Sequence, residues 1–370
     1  MKFTTATENI RNVLSIVARA LSVRPALPVL DGILIEARGE NLQLTASDGT
    51  FTIHAQIPVN VIEPGRLLAP GRFFMETIRK LPDGELVAAE NKTGGLTLSC
   101  SGARITIGCQ LGEDYPDLPY VLDPYTFTVS HKAFRDMVSE TSFCVADEDP
   151  RVVLTGALLE VKNNMFNMVA IDGFRLGMRR RPCEVGCCEG EKSVVVPKKS
   201  LIEIARLLSD DEEQNVNIEV DKNYIAVNLE NLSVYARLID GEFINYQRII
   251  PAGWKTRVKV NCDQFAGCIE RASLIAREGK NNLIRIEVSG GKMIVTSNSE
   301  IGDSYDEMEV ETDGEDIRIA FNVRYMSEAF RAIRDEYVYL LMTSSVSPMT
   351  IVPFGGDEFT YLILPVRAAA

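Results

Sequence analysis

Apolar positions along this chain follow two rhythms, and the same succession of rhythms comes round three times. Each round opens with a short stretch of period two that passes into helical spacing. The three openings read FTTATENI at residues 3–10, FTVSHKAF at 127–134 and VKVNCDQF at 258–265. Their apolar residues stand in phase, offset by 124 and then by 131 positions. An alternating strand running into a turn comes next: LQLTASDG at 42–49, MVAIDG at 168–173 and MIVTSNS at 293–299. Asp48 and Asp172 are again 124 apart, and Asp-Gly between alternating strands marks a hairpin. A second strand, turn and helix completes each round: LLAPGRFF at 67–74, VVVPKKSL at 194–201 and IAFNVRY at 319–325. The helical parts place apolar residues at i, i+3 and i+4, as in Leu201, Ile204, Leu207 and Leu208.

Three landmarks in one order at near-constant offset predict three copies of one unit, each with two helices and many strands. Linkers fall near 123–125 and 251–254, which gives units of 1–123, 124–253 and 254–370. The fold class is α+β. With 370 residues, 46% of them apolar, the chain is too long for one core of usual size.

Charge changes the picture. The formal net charge is −13, so a whole-chain basic footprint for nucleic acid is absent. The six expected helices, at 7–20, 71–81, 131–143, 198–208, 263–277 and 323–334, nevertheless carry +7 between them and leave −20 to the strands and loops. Two readings fit. The helices share a face that meets a polyanion through Lys and Arg, which would hold duplex DNA without reading its sequence and let it slide. Alternatively, these are ordinary solvated helix faces, rich in good helix formers.

The chain offers little material for chemistry. His54 and His131 are the only histidines, and no phosphate-binding G-x-x-x-x-G-K-[ST] loop occurs, so neither triad catalysis nor ATP hydrolysis is expected. Cys183, Cys187 and Cys188 lack the paired spacing of structural zinc, so no metal or cofactor is expected. Asp48 and Asp172 can be read as paired acids of an enzyme, but their place at hairpin turns favours turn chemistry. No apolar run approaches the roughly 18 residues of a membrane span, and the N-terminus lacks a signal-peptide core, so a cytoplasmic, nucleoid-associated protein is expected.

Repeat and charge split together resemble the beta subunit of bacterial DNA polymerase III, the sliding clamp family. The motifs are MKFT at residues 1–4, RPALPVL at 24–30, DYPDL at 114–118, DGFRL at 172–176, VPKK at 196–199, DGEF at 240–243, FNVRY at 321–325 and LPVR at 364–367. The likeness therefore runs over residues 1–367. It implies three clamp domains, each with two helices packed on antiparallel sheets, in a ring-shaped head-to-tail homodimer. Such a ring lines its hole with helices, closes its sheet edges and acts as a processivity factor, not an enzyme. It encircles duplex DNA and tethers the replicative polymerase, the clamp loader, other polymerases and repair proteins through short apolar peptides. A monomeric adaptor that keeps the peptide groove without the ring is the alternative.

Carried over by motif, the groove comprises Leu154, Ile171, Gly173, Phe174, Arg175 and Leu176, then Ile244, Arg248 and Ile249. Asn322, Tyr325, Val346, Leu362, Leu364, Pro365, Val366 and Arg367 complete it. Phe174 and Leu176 can also be read as plain strand alternation. Phe174 stands where relatives often have a polar ring, and Pro348 replaces a common serine, so peptide preference is expected to differ. DNA contacts are implied for Arg24, Arg72, Arg79, Lys80, Lys198 and Lys199. The loop at 147–151 matches a DNA-touching loop, with Val152 and Val153 in place of an aromatic pair. The ring interface would pair the edge strand holding Arg104, Ile105 and Ile107 with the segment around Leu274 and Ile275; Asp303, Asp306 and Glu307 could meet Arg104, and the apolar members could equally be core.

Overall fold

The computed structural model describes residues 1–186, 190–279 and 282–367. Six α-helices occur among them: α1 Thr7–Val17, α2 Gly71–Lys80, α3 His131–Thr141, α4 Lys198–Ala205, α5 Cys262–Ala276 and α6 Val323–Ala332. All six lie where the periodicity places them. A 3-10 turn, Ala18–Ala20, extends α1, and α4 stops three residues before its expected end. Each odd-numbered helix follows directly on a strand, at Lys2–Ala6, Tyr125–Ser130 and Thr256–Asn261. Further strands and an even-numbered helix come next, then three closing strands, with a short fourth, Gln110–Leu111, in the first repeat.

The physical basis is clearest in the third repeat. Asn261 caps α5, its side chain accepting from the Gln264 N–H at 3.1 Å, and Asn322 caps α6 in the same way through the Arg324 N–H at 2.9 Å. Phe265, Ile269, Ala272 and Ala276 recur along one face of α5 and are buried. Phe265 meets Phe330 of α6 edge-on, with ring centroids 4.8 Å apart, a favoured aromatic geometry.

The described chain folds as two compact units, and the middle repeat contributes to both. The first unit holds Met1–His131 and Glu203–Leu238. Its large sheet orders the strands Gly65–Pro70, Gly32–Arg38, Asn41–Ser47, Phe51–Pro58, Leu232–Arg237, Tyr224–Leu229, Asn215–Val220 and Tyr125–Ser130. Phe51–Pro58 pairs antiparallel with Leu232–Arg237, Ile53 opposite Val234, so the ladder runs unbroken from one repeat into the next. A five-stranded sheet of the same unit ends on Ala103–Gly108.

The second unit holds Lys132–Glu184, residues 190–202 and the described chain from Ile239 onward. The same device recurs there. Arg175–Pro182 pairs with Phe359–Ile363, Leu176 opposite Leu362. A four-stranded sheet of this unit ends on Gly302–Glu309. In each repeat alternation puts one side chain in two into the core, as with Ile284, Ile286 and Val288. No described helix is long and apolar enough to cross a membrane.

Candidate functional site

The turn at 172–175 positions the site. Asp172 Oδ1 accepts from the backbone N–H of Phe174 (2.9 Å) and Arg175 (3.0 Å), and Gly173 takes φ +89°, a conformation that favours glycine. The turn leaves Phe174 58% exposed and Arg175 only 6% exposed. The Phe174 ring stacks at 5.9 Å on Tyr325 of α6. The Leu364 N–H donates to the Phe174 carbonyl at 2.8 Å and fastens the C-terminal segment beside the turn.

An apolar cluster lies in the same unit. Leu154, Ile171, Leu176 and Leu362 are its buried floor, joined by Met178, Val195 and Tyr246. Ile244, Ile249 and Leu364 are half-buried against that floor, as are Val153, Phe243 and Ile250. Five segments far apart in sequence thus converge on one apolar strip with an aromatic rim. The segment after Ile239 joins it because Gly241, at φ +126°, lets the DGEF turn close against Val153. Val346 is exposed, Pro365 and Val366 are half-buried, and Arg248 and Arg367 face solvent. Such an arrangement binds an apolar or aromatic side chain; it assembles no nucleophile beside a base.

Two expected groove residues make contacts within the scaffold. Arg175 is turned inward: Nε donates to Asp172 Oδ2 at 2.8 Å, Nη1 to Glu328 and Nη2 to the Phe143 carbonyl. Its guanidinium stacks 4.6 Å from the Tyr325 ring and 5.3 Å from the Phe143 ring. Burial pushes the Glu328 carboxyl up, but hydrogen bonds from Arg175 and Arg324 outweigh it and hold the group below its ordinary range. Asn322 spends its side-chain oxygen capping α6.

Asp48 repeats the Asp172 turn, accepting from the Thr50 and Phe51 N–H groups at 2.9 and 2.8 Å. Both carboxylates act as turn acceptors, which overturns their reading as paired catalytic acids.

The cationic residues divide. Arg72, Glu76 and Arg79 share one stripe of α2, opposite the buried Phe74 and Ile78. Arg79 pairs with Glu76 at 2.5 Å, and Arg72 reaches the Ser22 carbonyl at 3.3 Å. Arg24, Lys80 and Lys199 are exposed. Lys198 is not a free cation: its ammonium sits 2.7 Å from Asp147, so an acid of the adjoining loop neutralises it. In that loop Arg151 forks onto Asp149, both contacts at 3.0 Å.

The residues expected at the ring interface fall at two open sheet edges and on α5. Arg104 is exposed on Ala103–Gly108, the edge of its sheet, and Ile105 is half-buried. Ile107 is 1% exposed and belongs to the core. Leu274 and Ile275 lie on α5; Leu274 is 69% exposed, and the Ile275 side chain points towards the Gly302 end of the neighbouring strand. The open edge there is Gly302–Glu309 itself. Asp306 is held by Arg271 at 2.7 Å and Glu307 by Lys292 at 2.9 Å, while Asp303 is exposed.

Sequence models of the N-terminal, central and C-terminal domains of the DNA polymerase III beta subunit match residues 1–119, 128–245 and 247–367. The beta sliding clamp of Staphylococcus aureus is 30% identical over 377 residues, spanning 99% of each chain. The chain belongs to the DNA polymerase III beta subunit family, the bacterial sliding clamps. The solved clamp of Bacillus subtilis superposes with a TM-score of 0.95 at 28% identity, covering 100% of both chains. A Pseudomonas aeruginosa clamp bound to griselimycin superposes at 0.93 with 27% identity, also over 100% of both chains.

As a sliding clamp, the chain comprises three clamp domains of helix and antiparallel sheet, and it is a DNA polymerase processivity factor with no catalysis of its own. Sequence reading missed Val153, Phe243 and Ile250 at the apolar strip. The period-two and DGEF patterns around them are visible, but nothing local says that they share one cluster. Of the three grouped cysteines, Cys183 is buried, its thiol pushed up to about 11 by burial; Cys187 and Cys188 lie outside the described residues.

Proposed function

We propose that this clamp closes with a second copy, head to tail, into a ring around duplex DNA. It presents the strip between Phe174 and Leu364 to peptides of the replicative polymerase, the clamp loader, other polymerases and repair proteins. One observation carries the peptide reading: an apolar cluster with half-buried members, rimmed by the Phe174–Tyr325 stack in which Phe174 is exposed. Leu154, Ile171, Leu176 and Leu362 make the floor. Ile244, Ile249, Leu364, Pro365, Val346 and Val366 make the walls, Gly173 shapes the rim, and Arg248 and Arg367 supply rim charge. Arg175 and Asn322 act by holding the rim in place.

For the DNA-facing role, Arg24, Arg72, Arg79, Lys80 and Lys199 fit a face that meets phosphate, and Lys198 contributes only when Asp147 releases it. For closure, the open edges Ala103–Gly108 and Gly302–Glu309 suit antiparallel pairing between copies, with Arg104 and Ile105 facing Asp303 and Leu274. The modules are taken as 1–123, 124–253 and 254–370, and work in the cytoplasm suits a DNA-bound factor.

Fluorescence anisotropy with a labelled peptide ending in Leu-Phe tests the groove. Binding should weaken about tenfold in Phe174→Ser, the size expected for losing one aromatic contact. Unchanged affinity in that variant sinks the assignment.

A further inference from the structure

The apolar strip continues into a cationic cleft on the third repeat. The cleft has a volume of about 780 Å³ and is lined in part by Val346, Val366 and Arg367, which also border the strip. Its floor is the outer face of the four-stranded sheet. Register fixes that face: Arg285 lies between Thr296 and Ala320, and Glu287 lies between Ile294 and Arg318. Side chains directly opposite on neighbouring strands share a face, and the alternate residues Ile284 and Ile286 are buried on the other side.

Backbone hydrogen bonds make strip and cleft continuous. The C-terminal segment leaves the Phe174 carbonyl at Leu364 and reaches the Ala320 carbonyl at Val366, where the N–H donates at 2.8 Å. Arg367 then lies at the mouth of the cleft. Arg285, Arg318 and Arg367 stand against one carboxylate, Glu287. Arg318 pairs with Glu287 at 2.6 Å while remaining 71% exposed. The cleft therefore carries an excess of two positive charges in a chain whose net charge is −13. Ile294, Ala320 and Val366 give it apolar walls.

We infer that this cleft receives acidic side chains flanking the apolar anchor of a partner peptide, so that Arg285 and Arg318 select peptides with Asp or Glu beside the anchor. The inference rests on the groove reading above. Charge complementarity and continuity with the groove both point to a carboxylate-bearing segment. A rim contact of this kind sets discrimination and salt dependence more than total affinity.

The test uses the full-length protein and three labelled peptides with one apolar anchor: a two-residue acidic flank before it, the same flank after it, or a neutral flank. The acidic flank on one side should bind three- to tenfold tighter than the neutral peptide at low salt, as expected for one or two exposed ion pairs. The advantage should vanish in 0.5 M salt and in Arg285→Ser/Arg318→Ser, while neutral-peptide affinity stays put. Arg285→Glu/Arg318→Glu, which leaves Arg367 against three carboxylates, should reverse the preference. Both positions are on the surface, and unchanged neutral-peptide binding reports a folded groove. Equal binding of acidic and neutral flanks, with Phe174→Ser weakening both, overturns the inference and spares the groove. Failure of every peptide to bind overturns the groove reading and this one with it.

Discussion

Replacing Arg175 by Ala removes one side chain that three acceptors share. Asp172, Glu328 and the Phe143 carbonyl would lose their common donor, and Tyr325 would lose the guanidinium beneath its ring. Breaking a buried ion pair from one side costs about 3–5 kcal/mol. Two features place the loss at the lower end. Asp172 keeps its backbone donors at Phe174 and Arg175, and Glu328 keeps Arg324 at 2.9 Å. The stranded Phe143 carbonyl and the lost stacking add to the deficit. We expect a loss of about 3 kcal/mol. Arg175→Lys should recover less than half of it, because an ammonium has no planar fork. The single tryptophan, Trp254, lies in the same unit and reports its urea unfolding by fluorescence. A loss below about 1 kcal/mol in Arg175→Ala would refute the network as the support of the groove rim.

Further outcomes follow from the same contacts. Glu328 has a folded pKa below its ordinary 4.5, so its stabilisation is fully present above that value and lost as pH falls through the lower folded value. The stability lead of the wild type over Glu328→Gln, followed by urea titration from pH 7 to pH 3, should shrink with acid; a lead that grows contradicts it. Asp48→Ala removes the acceptor of two turn N–H groups and should cost about 1–2 kcal/mol, read as a shift in urea midpoint by circular dichroism. A neutral effect would show that the turn closes without its carboxylate.

Much of the fold is legible in the pattern of apolar positions because each repeat restates it. The helix over Leu201, Ile204 and Leu208 announces itself by spacing, and the Asp48 and Asp172 turns by their Asp-Gly pairs. The groove is different. Leu154, Ile171, Ile244 and Leu362 each look like ordinary core residues along the chain; the pairing of Arg175–Pro182 with Phe359–Ile363 brings the Leu362 segment in, and the turn at Gly241 brings the Ile244 segment against Val153. Resemblance supplied that assembly; periodicity could not. Charge was the least legible property, because a partner distant in sequence decides what a cation does. Asp147 neutralises Lys198 across 51 residues, and Glu328 draws Arg175 inward across 153. Ile107 shows the same limit for apolar residues: alternation alone does not say which face of an edge strand is covered.

Topology tests the central claim most directly. The full-length protein, loaded onto nicked circular DNA by a clamp loader, is washed in 0.5 M salt and passed over a sizing column before and after one restriction cut. A ring with its cations on the inside stays with the circle through the wash and leaves once the DNA is linear. Release from the circle at that salt, as phosphate contacts alone would give, or retention on the cut DNA, would contradict the account.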